Sequence, residues 1–434
     1  MFGFSLVTVG QAISLIGSGM TQFAITIWAW QETGQATTLA LTGFFGFAPI
    51  VLISPFAGAL VDRLNRKLVM MLSDLAAGMA TIFLLILYVT DMLQIWHLYI
   101  LGAFVGIFQA FQWPAYSAAI TMMLDKKNYA RANGMLQVAQ SGSGVLAPIL
   151  AGALIGFSDL FWVFITDITT FIFAIGTLLI IHIPQPEQSE EGKLGQGSFL
   201  KESGYGFKYI WERRPLFWLQ MVFFSINLVG TFGFTVMAAM ILARTNNDSV
   251  ILGSVQSAGA IGGVVGGLLL SVWGGPKRRI HGVLLGMISV SILNSMLMGI
   301  GRSLTVWSTA SFCGGFFVTI LNGSNQAIWQ AKVPPDIQGR VFSVRRLIAQ
   351  ITAPIAMLLA GPLADFVFEP AMTSGGVLTP LFGGIVGTGP GAGMAVMFLL
   401  SGLFGVLVAV GGYSFPTIRN VESILPDHEA TATQ

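Results

Sequence analysis

The chain has 434 residues, and its composition excludes an ordinary soluble domain. Charged residues make up 9% of the sequence and apolar residues 54%, whereas soluble globular proteins carry about 25% charged residues. With a mean hydropathy of +0.77, this balance predicts a polytopic membrane protein. The formal net charge of +2 gives no reason to expect a nucleic-acid partner.

Twelve apolar runs follow one another along the chain, each long enough to cross a bilayer as a helix of about 20 residues. The chain is therefore predicted to be an all-α membrane protein. Because the number of spans is even, both termini are expected on one side of the membrane. The predicted spans cover residues 4–30, 38–61, 67–89, 96–123, 133–157, 160–182, 216–243, 249–272, 279–300, 305–330, 341–365 and 391–415.

The basic residues predict which side faces the cytoplasm. Of the 21 Lys and Arg residues, all but Arg244 and Arg302 lie in the loops that follow even-numbered spans or in the tail, with Arg345 and Arg346 counted among the loop residues. Short loops rich in Lys and Arg stay in the cytoplasm. We therefore predict a multi-pass protein of the cell inner membrane with both termini in the cytoplasm.

A long polar connection, residues 183–215, divides the spans into halves at 1–182 and 216–416, and a cytoplasmic tail, 417–434, follows. Near-helical spacing of apolar residues with bases between them predicts a helix on the inner membrane surface in its second part. A merely solvated linker is the alternative. The apolar residues are Phe199, Phe207, Ile210 and Trp211.

The two halves repeat short patterns at corresponding places. "NYARANG" (128–134) follows the fourth span and "IQGRVFS" (337–343) follows the tenth. "LAPILAGALIG" (146–156) in the fifth span has about the same Pro and Gly spacing as "TAPIAMLLAGPLAD" (352–365) in the eleventh. Two six-helix halves with an internal repeat are typical of transporters that work by alternating access.

These features resemble the major facilitator superfamily over essentially the whole chain. "GALVDRLNRK" (58–67) resembles the family's loop motif G-x-x-x-D-[RK]-x-G-[RK]-[RK], with Asn65 in place of a Gly. "FQWPAYSAAI" (111–120) and "RANG" (131–134) resemble the branch of drug:proton antiporters that contains macrolide-efflux and enterobactin-export proteins. The resemblance implies two pseudo-symmetric six-helix bundles, the major facilitator fold.

The resemblance also implies a role for the motif. In the family, its Asp faces the N-terminal end of the eleventh span, where a carboxylate is stabilised by the helix dipole. We expect Asp62 to latch the cytoplasmic side while the transporter is open outward; a topology anchor alone is the alternative. The gating residues implied are Gly58, Asp62, Arg63, Arg66, Lys67, Arg131 and Arg340.

The fifth span carries a second pattern, "GVLAPILAG" (144–152), similar to the family's antiporter motif G-x-x-x-G-P-x-x-G-G. Ala147 and Ala151 replace two of its glycines. The family associates this motif with export, and small residues and a proline allow close packing and a bend. The hinge residues implied are Gly144, Pro148 and Gly152; an ordinary tightly packed helix is the alternative.

In this family, spans 1, 4, 7 and 10 line the cavity. Amides and aromatic rings without a fixed charge suit a bulky amphiphile better than a small ion, although some amides could instead join helices. The residues predicted to line the substrate cavity are Gln11, Gln22, Gln109, Gln112, Trp113, Asn227, Asn322 and Gln326.

Two acids inside predicted spans, Asp167 and Asp74, are the proton-coupling candidates. A carboxyl group without a basic partner in the membrane can exchange a proton, and we favour Asp167; a buried, neutral, hydrogen-bonded Asp is the alternative. Span four lacks the Arg that is usual in many antiporters of the family, in "LGAFVGIFQAF" (101–111). Proton, sodium and uncoupled transport therefore all stay open, with proton coupling preferred.

Other chemistry finds no support in the sequence. It contains no G-x-x-x-x-G-K-[ST] phosphate loop, the four His residues form no metal-ligand pair, and no nucleophile–base constellation lies in the spans. We therefore expect no enzyme activity, cofactor or metal. The five glycines of span eight predict a packing seam rather than a site.

Together these patterns predict a secondary transporter in the lipid bilayer that exports amphiphilic organic compounds by alternating access, works as a monomer and is driven by protons. One alternative is a transporter of the same fold for a lysophospholipid or a siderophore. The alternative of another class is a non-transporting membrane receptor or assembly factor.

Overall fold

The computed structural model describes residues 2–61, 64–124, 129–181, 199–334 and 337–427. Within these ranges helices predominate and no strand occurs. Twelve helices are long and apolar enough to cross a membrane, which confirms the predicted fold class. Numbered in chain order, these spans are Phe2–Thr33, Ala36–Val61, Arg66–Val89, Ile95–Met123, Tyr129–Phe157, Leu160–Ile180, Arg214–Arg244, Ser249–Trp273, Arg279–Ile300, Leu304–Lys332, Gln338–Ala371 and Ala392–Ser414.

Short connections between spans end in side chains that cap the next helix. A carboxylate or amide oxygen accepts backbone N–H groups that have no partner in the first turn. Each cap thereby fixes where its span begins. The caps are Asn65 for span 3 (Leu68 N, 3.1 Å), Asp159 for span 6 (Phe161 N, 3.1 Å) and Asp248 for span 8 (Val250 N, 2.9 Å).

Two spans of the second half are not uniform α-helices. Span 9 contains a π-helical stretch at Val290–Met296, and span 11 contains one at Ala364–Phe368. A wider helical turn shifts the faces that follow it relative to a straight α-helix. A further short helix, Thr379–Val386, lies between spans 11 and 12.

The chain forms two compact units. The first comprises Met1–Glu187 with Ala238–Ser257, and the second comprises Gln188–Met237 with Ala258–Gln434. In the first unit, span 1 packs on spans 5 and 6, and span 4 packs on spans 2 and 3. In the second unit, span 9 packs on spans 10 and 12.

Span 5 packs closely against the beginning of span 8 inside the first unit. Ser249 Oγ donates a hydrogen bond to the carbonyl O of Gly152 over 3.1 Å, and a Cβ added at Gly152 would lie 2.9 Å from the Ser249 carbonyl O. A Cβ at Gly253 would likewise lie 2.5 Å from the Pro148 carbonyl O. Pro148 and Gly152 are buried and Gly144 is exposed. The hinge role of these three residues stays a prediction.

The second part of the predicted polar connection forms a helix, Phe199–Glu212, whereas residues 183–198 lie outside the described ranges. This surface helix packs against the start of span 11, because a Cβ at Gly206 would lie 2.6 Å from the Arg340 carbonyl O. Ile210 is 2% exposed and Trp211 is 62% exposed. One face of this helix therefore contacts the rest of the protein. That its opposite face lies on the membrane surface stays a prediction.

The beginning of the predicted tail is ordered by a buried lysine. Lys332 is 7% exposed, and its Nζ donates to the Glu422 carbonyl O over 2.6 Å, to the Leu425 carbonyl O and to Asp427 Oδ1 over 2.8 Å. These contacts hold the short helix Val421–Ile424 against the end of span 10. Of residues 417–434, those from 428 onward lie outside the described ranges.

Candidate functional site

Three spans of the first unit meet around the carboxyl group of Asp74. Asp74 lies in span 3 and is 5% exposed. Nε2 of Gln11 donates to its Oδ2 over 2.6 Å, and Nε2 of Gln112 donates to its Oδ1 over 2.6 Å. The two glutamines also approach each other, with 3.4 Å between Gln112 Nε2 and Gln11 Oε1. Each carboxyl oxygen of Asp74 therefore has an amide donor.

A second buried carboxyl group, that of Asp167, is surrounded by hydroxyl groups. Asp167 lies in span 6 and is 3% exposed. Thr21 of span 1 and Thr81 of span 3 each donate to its Oδ2 over 2.8 Å, and Ser18 donates to its Oδ1 over 3.2 Å. Gly17 makes room for this cluster, because a Cβ there would lie 2.9 Å from Asp167 Oδ1.

Both carboxyl groups are held by neutral donors. Within the described ranges neither Asp74 nor Asp167 forms an ion pair with a Lys or Arg. A buried carboxylate without a cation is costly, but amides and hydroxyls can turn to present an oxygen as well as a hydrogen. Such surroundings can therefore keep the carboxyl group hydrogen-bonded with or without a proton.

The residues predicted to line a cavity lie in different surroundings. Gln11 and Gln112 contact Asp74, and the structure brings them together. Asn227 is partly buried and its Nδ2 donates to the Phe223 carbonyl O of its own span over 2.8 Å, whereas Gln326 accepts a hydrogen bond from Arg345 over 2.7 Å. The exposed members are Gln22, Gln109, Trp113 and Asn322.

The predicted gating motif is described in part. Asp62 and Arg63 lie outside the described residues. Gly58 and Arg131 lie in spans 2 and 5, and their surroundings are not described. Lys67 Nζ donates to the carbonyl O atoms of Leu179 (3.1 Å) and Ile181 (2.9 Å) at the end of span 6. A cation there stabilises the negative end of the helix dipole. Arg66 begins span 3, and Arg340 is exposed in the first turn of span 11.

Sequence reasoning missed several side chains that contact the candidate site residues. Thr21 and Thr81 donate to Asp167, yet a threonine in an apolar run gives no signal of its own, because only tertiary packing decides which carboxyl group it meets. Arg345 was counted as a base at a loop end, but it lies two turns inside span 11. Its place within the predicted run 341–365 was the available signal.

Twelve apolar spans define a multi-pass membrane protein, and carboxyl groups buried among polar side chains of neighbouring spans are typical of those that transport substrates or ions. The family model described as Major Facilitator Superfamily matches residues 7–357. The chain belongs to the Major Facilitator Superfamily.

Curated relatives carry names of transporters. Macrolide efflux protein A of Streptococcus pyogenes is 28% identical over 381 residues, covering 83% of this chain and 89% of that protein. Multidrug efflux pump Tap of Mycolicibacterium fortuitum is 24% identical over 363 residues, covering 80% of this chain and 86% of that protein. This family membership confirms the predicted class, a transporter rather than an enzyme.

Solved structures share the fold. A bacterial homologue of the human lysosomal transporter Spinster matches with a TM-score of 0.68 at 16% identity, covering 94% of this chain and 96% of that one. At this level of identity the likeness supports the major facilitator fold alone.

Proposed function

We propose that the chain exports amphiphilic organic compounds across the cell inner membrane by alternating access. The observation that carries this proposal is the similarity to macrolide and multidrug efflux proteins over 80% or more of the chain. The amides and aromatic residues of spans 1, 4 and 10 agree with such a cargo, because they offer hydrogen bonds and flat apolar surfaces without a fixed charge.

The orientation that we propose follows from the basic residues. Arg66, Lys67 and the basic residues of the other loops after even-numbered spans would lie in the cytoplasm, together with both termini. The protein would work as a monomer in the lipid bilayer.

We propose proton coupling through Asp74 rather than through Asp167, which the sequence alone favours, because the contacts of Asp74 link it to the predicted cargo residues Gln11 and Gln112. As a carboxylate, Asp74 accepts an N–H group from each glutamine. With a proton, one of its oxygens becomes a donor, so one glutamine must turn its Oε1 toward it. Cargo that bonds to Gln112 would compete for the same amide, and by linkage cargo and proton would alter each other's binding.

Asp167 is the second proton-coupling candidate. Its hydroxyl donors belong to spans 1 and 3, and no predicted cargo residue contacts it within the described ranges. A proton there would alter the packing of spans 1, 3 and 6 rather than compete with cargo directly.

The loop motif supplies a separate proposal, the cytoplasmic latch at Asp62. Asp62→Asn removes the negative charge but keeps the shape of the side chain. We expect normal membrane insertion and orientation with impaired transport, measured as cargo flux per inserted molecule. Full transport by this variant would refute the latch and leave the motif a topology anchor.

The experiment that tests export uses the purified full chain in lipid vesicles, with and without an imposed pH gradient. We expect an erythromycin-like macrolide or a dye such as ethidium to accumulate when the gradient is present. Movement of a lysophospholipid or a siderophore, with none of the drugs, would favour the alternative cargo. No flux of any of these compounds would favour a non-transporting receptor or assembly factor.

A further inference from the structure

Span 11 carries a guanidinium group inside the second unit. Arg345 lies two turns after Gln338, where the span begins, which places it about 10 Å along the helix. Its side chain is partly buried, and its Nη1 donates to Oε1 of Gln326 in span 10 over 2.7 Å. Charged groups within membrane spans face a partner or a water-filled path and mark routes for substrates or ions.

Two aromatic rings hold this guanidinium group in place. Its central carbon lies 5.2 Å from the ring centroid of Trp329 and 5.9 Å from that of Phe342, within the range of about 6 Å for a cation–π attraction. Gln220 Nε2 donates to the backbone carbonyl O of Arg345 over 3.3 Å. The position of Arg345 is therefore set by an amide and by ring faces.

The positive charge of Arg345 is not compensated within the described part of the chain. None of the carboxylates described there forms an ion pair with it, and the neighbouring Arg346, which is exposed, adds a second positive charge. A guanidinium group has five N–H donors, more than any other side chain. Among the described residues, one hydrogen bond from this group is formed, to Gln326. The group therefore retains both charge and donors for a further partner.

Polar atoms of span 10, in and next to the residues that contact Arg345, also lack partners in the described ranges. Asn325 is 1% exposed, and neither its Oδ1 nor its Nδ2 has a hydrogen-bond partner among the described residues. Nε1 of Trp329, one turn further along the same face of span 10, has none there either. Buried amides are nearly always hydrogen-bonded in proteins. This face of span 10 therefore has hydrogen-bonding capacity that the described part of the chain does not use.

We propose that these residues form a binding site, the Arg345 site, for the anionic group of an amphiphile. The site consists of Asn325, Gln326, Trp329, Phe342 and Arg345. A guanidinium fork matches a carboxylate or a phosphate with two parallel hydrogen bonds. Because the site lies within membrane spans, the rest of the bound molecule must be apolar. As a step of export the site rests on the proposed function, whereas the binding itself does not.

The test uses one fluorescent amphiphile in two forms, dansylaminoundecanoic acid and its methyl ester, in which an added methyl group removes the negative charge. Binding to the purified full chain in a non-ionic detergent is followed by dansyl fluorescence. We expect Arg345→Gln to weaken binding of the acid about tenfold, the order of a lost charged hydrogen bond, and to leave binding of the ester unchanged. Arg345→Lys should recover part of the affinity.

Arg346→Gln is the matched control, because it removes the same charge from the adjacent, exposed position. We expect it to leave the affinities of both probes within about twofold, since exposed charges are screened by salt. Unchanged ester binding by Arg345→Gln shows that this variant is folded. Equal acid binding by the wild type and Arg345→Gln would overturn the proposal, and so would an equal loss in Arg346→Gln.

The anionic amphiphile can be cargo or a lipid, and a second arm separates these sources. Ethidium flux is compared in vesicles of phosphatidylcholine alone and in vesicles that also contain phosphatidylglycerol. If the source is a lipid, phosphatidylglycerol alters flux in the wild type but not in Arg345→Gln. If the source is cargo, the acid probe itself is transported in an Arg345-dependent way and lipid composition has no such effect. The proposal is overturned if flux does not depend on Arg345 in either experiment and if the wild type and Arg345→Gln bind the acid equally.

Discussion

The first unit buries two carboxyl groups, Asp74 and Asp167, against amide and hydroxyl donors, with no cation beside them within the described ranges. The second unit buries the ammonium group of Lys332 against backbone carbonyls and the carboxylate of Asp427. The ammonium group of Lys332 thus has an opposite charge beside it, whereas a carboxyl group among neutral donors can gain or lose a proton and remain hydrogen-bonded. We infer that the buried carboxyl groups of the first unit support function, whereas the buried ammonium group of Lys332 in the second unit supports stability.

The largest expected effect on function follows from Asp74→Asn. An asparagine fits between Gln11 and Gln112 but cannot bind an exchangeable proton, so we expect at least a tenfold loss of gradient-driven cargo accumulation. Thermal stability in detergent should change little. The matched control is Asp91→Asn, the same change in an exposed connection, which should leave accumulation intact. Full accumulation by Asp74→Asn would end the role assigned to this carboxyl group.

The largest expected effect on stability follows from Lys332→Met. Methionine keeps the length of the side chain but removes the donors to Glu422, Leu425 and Asp427. We expect the free energy of unfolding to fall by about 3 kcal/mol, measured by thermal unfolding in detergent, with transport per folded molecule retained.

Lys208→Met is the control for Lys332→Met. Lys208 pairs with Glu212 at 3.8 Å, and its side chain is 73% exposed, so the change should cost about 0.5 kcal/mol or less. Equal stability of the two lysine variants would show that the contacts between Lys332 and the tail do not stabilise the protein.

A smaller effect is expected from Thr21→Val, which removes one hydroxyl donor from Asp167. Thr81 and Ser18 still donate to that carboxyl group, so we expect a loss of about 1–2 kcal/mol in the free energy of unfolding. Thr26→Val, five residues later in span 1, removes a hydroxyl that bonds to the Gln22 carbonyl O of its own helix. This control should cost about 0.5 kcal/mol or less, and an equal cost in both variants would contradict the contact between Thr21 and Asp167.

The spans were predictable from sequence because a bilayer requires long apolar helices, and all twelve predicted runs coincide with helices in the structure. The shift of helix faces after Val290–Met296 was not predictable, because hydrophobic periodicity assumes a straight α-helix. The donors to Asp167 were missed for a different reason. Which helices are neighbours is a property of the fold, and a single sequence does not contain it.

Arg345 and Lys332 illustrate a second limit. A count of loop charges assigns both residues to the loop after span 10, because it considers position along the chain and not burial. Lys332 is buried because the chain returns to it some 90 residues later at Glu422, a long-range contact that local patterns do not encode. Arg345 lies inside the predicted run 341–365, so the count of loop charges, and not the span boundary, assigned it to the wrong environment.

The proposed transport cycle requires Asp74 to exchange a proton when cargo binds. The most direct measurement adds a macrolide to the purified protein in a weakly buffered solution and records the change in pH. We expect the wild type and Asp91→Asn to release a proton on binding, whereas Asp74→Asn binds the macrolide without release. Equal proton release by Asp74→Asn, or binding by the wild type without any release, would contradict this proposal.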